Sequence, residues 1–298
     1  MPAALPLRHF LLALAVVAVW GTNFVVIKLA LGHLPPLLFA ALRFTLALFP
    51  ALLFLPRPRV GWRNLALYGV CIGVGQFGLL YLSMNGHISP GIASLVVQTQ
   101  VFFTIGLAMR INGERVQPFQ WVALALASAG IANIGLHTDG TTTVLGLLLV
   151  LGAALSWAGG NIAAKQGKPD HMLAYVVWSS AFAVPPLLAL SWVFEGTDAI
   201  VNGVLHADPM TWAAVAWQSW GNTLFGYAAW GWLLARHPAA TITPMALLVP
   251  VFGMGASTWW LGEPLPAWKL VAAALVMGGL AINLLWLTLR KRLAASGK

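Results

Sequence analysis

Charge is scarce in this chain. Asp, Glu, Lys and Arg together make up 8% of its 298 residues, where a soluble domain carries about 25%. With 60% hydrophobic residues and a mean hydropathy of +0.84, too little polar surface exists to cover a water-soluble globule, so the surrounding solvent must be lipid. Acidic residues are the rarest, seven against sixteen Lys and Arg. The resulting net charge of +9 does not point to nucleic acid, because the basic residues form no patch and are spread along short loops. A lone cysteine, Cys71, excludes an internal disulfide. There is no H-E-x-x-H, no nucleotide-binding glycine loop and no cysteine–histidine cluster in the sequence, so neither a metal nor a cofactor is expected. An intramembrane enzyme would need a polar catalytic set, which the sequence does not offer. A non-transporting receptor or scaffold is the other rival class.

Long apolar runs are abundant. Ten segments of roughly 20 residues fall near 9–31, 36–55, 64–84, 90–110, 118–136, 144–165, 172–194, 210–234, 240–261 and 266–289, each long enough to cross a hydrocarbon core of about 30 Å. Backbone polar groups must pair internally in lipid, so an all-α integral membrane fold is expected; the alternating strands of a barrel are not seen. The first run follows Arg8 as a signal peptide would, but it is longer than a secretory h-region of about 7–15 residues. Alternate loops carry Arg57, Arg59 and Arg63; Arg110 and Arg115; Lys165 and Lys168; and Arg236, with Arg8, Arg290, Lys291, Arg292 and Lys298 in the tails. The opposite loops hold Asp139, Glu195, Asp198, Asp208 and Glu263. Lys and Arg stay on the cytoplasmic side, which places both termini in the cytoplasm and makes the number of crossings even.

The two halves repeat. "WGTNFVVIK" at 20–28 matches "WAGGNIAAK" at 157–165, Gly113-Glu114 falls on Gly262-Glu263, and Gly130 on Gly279. Residues 1–137 and 138–298 are therefore expected to be two five-helix units. Five is odd, so the second unit enters from the other side. That is the inverted-topology plan of many secondary transporters, with substrate near the midplane. A scaffold has no need of it.

Trp20, Gly21, Asn23 and Phe24, with Arg43 in the second segment, Pro250-Val251 in the ninth and the Gly262-Glu263-Pro264 turn, resemble the EamA-type branch of the drug/metabolite transporter superfamily over nearly the whole chain. "NFVVIK", "PPLLFAALRF", "ASLVVQTQVFFT", "LSWAGGNI" and "LLVPVFG" are similar to bacterial amino-acid exporters within that branch. The resemblance implies ten helices with both termini inside and a central cavity lined mainly by helices one to four and six to nine. It also implies amino acids or related small metabolites as substrates. The tryptophan-rich eighth segment departs from a cysteine exporter and leaves room for larger side chains. Nothing in the sequence specifies an oligomer.

Several residues are candidates for the cavity wall. Trp20 with Asn23, and Trp157 with Asn161, each share a helical face; they form either a pair of binding elements or a pair of helix contacts built on small residues and an amide. Arg43 sits at mid-segment, where an arginine costs about 2.5–3.5 kcal/mol on insertion scales. It either attracts a substrate carboxylate or holds backbone in place. Gln76 shares a face with Ser83, and Gln98 with Ser94. A regular helix cannot turn both Gln98 and Gln100 inward; Gln98 is the expected one, with Gln100 near a candidate bend, since its counterpart region contains Pro250. Trp217, Trp220, Tyr227 and Trp230 fall roughly on one stripe of the eighth segment, as binding surface or as packing. Trp178 is a further lining candidate. No Asp or Glu lies deep in a span, so facilitated export down a gradient is expected. The alternative is a proton-coupled exporter of other amphiphilic metabolites or drugs.

Overall fold

A computed structural model describes residues 5–112, 117–137 and 140–296. Gly113, Glu114, Arg115, Asp139 and Lys298 lie outside the described residues, as do the side chains of Arg290, Lys291 and Arg292. Among the described residues the chain folds into helices without strands. Nine are long and apolar enough to cross a membrane: α1 (Leu7–Ala30), α2 (Pro36–Phe54), α3 (Trp62–Met84), α4 (Pro90–Ile111), α5 (Pro118–Leu136), α6 (Val144–Gly167), α7 (Met172–Phe194), α9 (Thr243–Leu261) and α10, whose crossing portion is Ala267–Trp286. The stretch 209–236, α8, is helical throughout, but Gln218, Ser219, Asn222 and Thr223 lower its apolarity. A short helix, Gly196–His206, precedes it.

Proline and capping side chains start the helices. Prolines occupy the first turns of α2, α4, α5 and α8, where a missing N–H costs nothing. The Thr143 hydroxyl accepts from Gly146 N, and Asp208 accepts from Thr211 N at 2.7 Å. Glu195 reaches across from the end of α7 and accepts from Leu37 N and Leu38 N at the start of α2, setting a negative charge on a helix N-terminus.

The helix pairings follow one pattern. α2 lies against α7 and α5 against α10; α1 meets α9 as α4 meets α6; α3 rests on α6 as α8 rests on α1. The α5–α10 contact is reciprocal. Gln120 near the start of α5 donates to Asn283 of α10, and Asn133 late in α5 donates to the Trp268 carbonyl near the start of α10. Phe119 stacks on Trp286, and His137 on Trp268. Gly130 and Gly279 sit at the two closest approaches. A Cβ on the first would meet Val276 Cγ2 at 2.7 Å, and one on the second the Ala123 carbonyl at 2.5 Å, both closer than packed atoms allow.

Four helices carry a π or 3₁₀ segment. α3 contains a nine-residue π segment, Val70–Gly78, and α8 another of nine residues, Trp217–Phe225. α4 contains a 3₁₀ turn, Val97–Thr99, and α9 opens with one, Thr243–Leu247. Such interruptions often mark functional sites and hinges. α1 and α6, which carry the repeated Trp-to-Lys element, are unbroken.

Candidate substrate cavity

The irregular helices surround a cavity of about 420 Å³. Its walls come from α1, α3, α4, α6, α8, α9 and α10 and from Met172, the first residue of α7. It reaches the end of the bundle where α7 and α9 begin, lined there by Met172 and Thr243. At the far end Leu34, Met84, Ile88 and Ile92 are buried and close-packed, and none of them lines it. All charged side chains are absent from its wall among the described residues.

Its lining mixes amides with aromatic rings. Asn23 and Gln76 are almost fully buried, and among the described residues the carbonyl oxygens of both side chains lack a hydrogen-bond partner. Gln98, Gln100, Asn161 and Asn222 complete the polar part. Asn161 donates to Gln100 Oε1 at 2.8 Å and to Thr104 Oγ1 at 3.2 Å. Trp20 donates from Nε1 to the Asn222 carbonyl inside the π segment of α8 at 3.2 Å. In the same manner the Ser156 hydroxyl, beside Trp157, donates to the Cys71 carbonyl inside the π segment of α3 at 2.9 Å. The π turns have each given one carbonyl to a side chain of a neighbouring helix. The Trp20 ring tilts against Trp230 and Tyr227, with centroids 5.2 and 6.0 Å away, and Tyr68, Phe77 and Trp157 extend the aromatic surface.

Of the residues singled out in the sequence, Trp20, Asn23, Gln76, Gln98, Trp157, Asn161 and Tyr227 lie in this wall. Four do not. Arg43 is buried behind Phe77 with its guanidinium carbon 3.6 Å from that ring's centroid. It donates to the Tyr81 hydroxyl at 3.0 Å and to Thr223 Oγ1 at 2.9 Å. Tyr81 in turn donates to Gln218 Oε1, so the charge is spread over a polar knot between α2, α3 and α8. Trp178 is drawn aside because its indole donates to the Leu55 carbonyl and its ring tilts against Trp62. Trp217 and Trp220 are 40% and 49% exposed on the outer surface, and Trp220 donates to the Leu46 carbonyl. The π segment shifts the angular phase of α8 after Trp217, so residues on one stripe of a regular helix end on different faces.

Gln100 lines the cavity beside Gln98, contrary to expectation, because the 3₁₀ turn divides α4 into two segments with separate faces. Ser94 and Ser83 bond to backbone carbonyls of their own helices. Lys28 donates to the Met84 carbonyl at the end of α3. Tyr68, Phe77, Asn222 and Trp230 also line the wall. Asn222 was detectable as an amide in mid-segment; Tyr68 gave no sequence signal.

Lys269 escaped the sequence reading as well. It is fully buried near the start of α10 and donates to Glu263 Oε1 at 2.8 Å. Glu263, 8% exposed, also accepts from the hydroxyls of Ser89 and Ser257 and from Gly91 N. Burial pushes the carboxyl up, but the bonds from Lys269, Ser257 and Ser89 outweigh it and hold Glu263 below the usual glutamate range.

The sequence model of the EamA-like transporter family matches residues 7–136 and again 144–285. The chain belongs to the EamA-like transporter family. Among its relatives is a protein of Salmonella typhimurium named "Probable amino-acid metabolite efflux pump", 40% identical over 96% of this chain and 98% of that protein. The protein of the same name in Escherichia coli K12 is 38% identical over 94% and 96%. A "Probable terminal-alkyne amino-acid exporter" of Streptantibioticus cattleyicolor is 28% identical over 81% and 80%. A crystal structure covering 94% of this chain and 96% of its own superposes with a TM-score of 0.63 at 19% identity, a likeness of fold alone. This EamA-like chain is thus a multi-pass membrane protein of a transporter family.

Proposed function

We propose that the protein exports amino acids and related small metabolites across the bacterial inner membrane, by opening its cavity alternately to the two sides. The observation that carries this reading is the cavity wall: two buried amide oxygens without a partner, set among aromatic rings, with no charged side chain among the described residues. Buried polar groups normally find partners, and a ligand site is an apolar cavity with a few convergent polar groups. A zwitterionic amino acid brings hydrogen-bonding ends for the amides, no net charge to be compensated, and a side chain for the rings. The family match and the names of the relatives support the same substrate class.

In this reading α8 is the tenth crossing, and residues 1–137 and 138–298 are two inverted units. Support comes from the recurrence of a π segment in α3 and α8 and a 3₁₀ turn in α4 and α9, from the reciprocal α5–α10 contact, and from the double family match. Loop charges place both termini in the cytoplasm, so the cavity faces the cytoplasm and loads from there. Without a carboxylate in the wall, transport runs down the substrate gradient.

Cysteine scanning tests the cavity. In a Cys71→Ala background, cysteines replacing Trp157 or Asn161 should react with a soluble thiol reagent from the side of the termini, and amino acids should slow the reaction. A cysteine replacing Leu126, in α5, which contributes no residue to the cavity wall, should react slowly and without protection. Equal labelling at all three positions would refute the assignment.

A further inference from the structure

The wall of the cavity explains neither Glu263 nor Lys269. Both are buried at the far end of the bundle, opposite the two chain ends, and each is costly there unless paired. The carboxylate is saturated. Besides Lys269 it takes the Ser257 hydroxyl of α9, the Ser89 hydroxyl just before α4, and Gly91 N in the first turn of α4. Gly262 makes this possible. Its φ of +66° ends α9 in the left-handed conformation that glycine tolerates and folds Glu263 back over Ser257. The start of α4 is thereby clamped to the end of α9 and the start of α10. α4 then runs inward through Ile92 to its 3₁₀ turn, where Val97 and Gln98 line the cavity.

We propose that Glu263 and Lys269 form the latch that holds the far end of the cavity shut, and that releasing it lets the first turns of α4 leave α9 and α10 so that the cavity opens on that side. The proposal rests on the reading that the cavity opens alternately to two sides. The latch is one-sided in sequence. Six residues after the first Gly-Glu, at 113–114, stands Gln120 rather than a lysine, and Gln120 is engaged with Asn283 and the Gln117 backbone. The Glu263–Lys269 pair biases the molecule towards the form closed at the far end and open at the end where α7 and α9 begin. For an exporter that is the loading state. Glu263 and Lys269 are positioning residues, acting through α4 on which side the substrate reaches.

Removing one partner would strand a buried charge and threaten folding, whereas removing both leaves none. The test therefore uses Glu263→Gln/Lys269→Met in a Cys71→Ala background with Ile92→Cys, a buried position between latch and cavity. A membrane-impermeant thiol reagent is added from the far side. Labelling of Ile92→Cys should be near zero with the native pair and rise about tenfold or more in the double variant, since a shift of tenfold in populations follows from losing the energy of one charge-assisted bond. Labelling of an Asn161→Cys reporter from the side of the termini should fall in parallel. Ser89→Ala, which keeps the ion pair and removes one donor, should fold normally and give a smaller rise, about twofold to threefold. Unchanged Ile92→Cys labelling in Ser89→Ala and in folded double variant would overturn the latch, even if amino-acid transport persists. Loss of the proposed function would look different: no amino-acid transport by the native protein, whatever the labelling.

Discussion

Tyr81→Phe combined with Thr223→Val is expected to destabilise the protein by about 3–6 kcal/mol, more than removal of Arg43 itself. Arg43 is almost fully buried and has no carboxylate partner among the described residues; its two acceptors are the Tyr81 hydroxyl and Thr223 Oγ1. A hydrogen bond to a charged group contributes roughly 1.5–3 kcal/mol, and the double variant removes both while leaving a cation that cannot lose its proton. Arg43→Met leaves no such charge. Tyr81 keeps Gln218 Oε1 and Thr223 keeps the Gln218 carbonyl, so the loss should be about 1–2 kcal/mol, mainly the contact with Phe77. Thermal unfolding in detergent would rank the variants. The opposite order would mean that Arg43 is anchored by something other than this knot. Since Arg43 lies behind the wall, Arg43→Gln should also affect an amino acid and its decarboxylated amine alike. A selective loss of the amino acid would restore the guanidinium as a carboxylate site.

The second large effect separates binding from packing. Asn23→Leu and Gln76→Leu should each leave stability unchanged or raise it by about 1 kcal/mol, because each removes a buried carbonyl oxygen that has no partner among the described residues. Amino-acid transport should nevertheless fall, roughly tenfold for each 1.4 kcal/mol of lost substrate contact. A residue that held the helices together would behave the other way, with stability falling first and transport following. Asn161→Leu is the built-in contrast. Asn161 is bonded to Gln100 and Thr104, so its loss should reduce both. Parallel losses of stability and transport in all three variants would assign the amides to packing.

Composition and periodicity carried most of the fold. The positions of the long apolar segments, the Trp20/Asn23 and Trp157/Asn161 elements and the correspondence of Gly130 with Gly279 were all legible, because each depends on local hydropathy or on a repeated string. What was not legible depends on helix irregularity. Trp217 and Trp220 share a stripe with Tyr227 only if α8 turns uniformly, and its π segment does not. Gln98 and Gln100 cannot share a cavity unless α4 breaks, and it does; the sequence hinted at a bend there only through Pro250 in the matching stretch of the second half. Arg43 shows a different limit. Its cost in lipid was readable, but its solution, two hydroxyls brought from α3 and α8, is a long-range contact. Lys269 was readable in principle, as a charge just inside the last segment with Glu263 six residues before it.

Counterflow in proteoliposomes tests the central claim most directly. Vesicles containing the purified protein are loaded with an unlabelled neutral amino acid and diluted into a trace of the labelled one, with no pH gradient imposed. Transient accumulation of label is expected. It should vanish in Asn23→Leu/Gln76→Leu protein that unfolds no earlier than the native form. Label no higher than in protein-free vesicles for every amino acid tried, with the protein folded, would contradict an amino-acid exporter of any coupling.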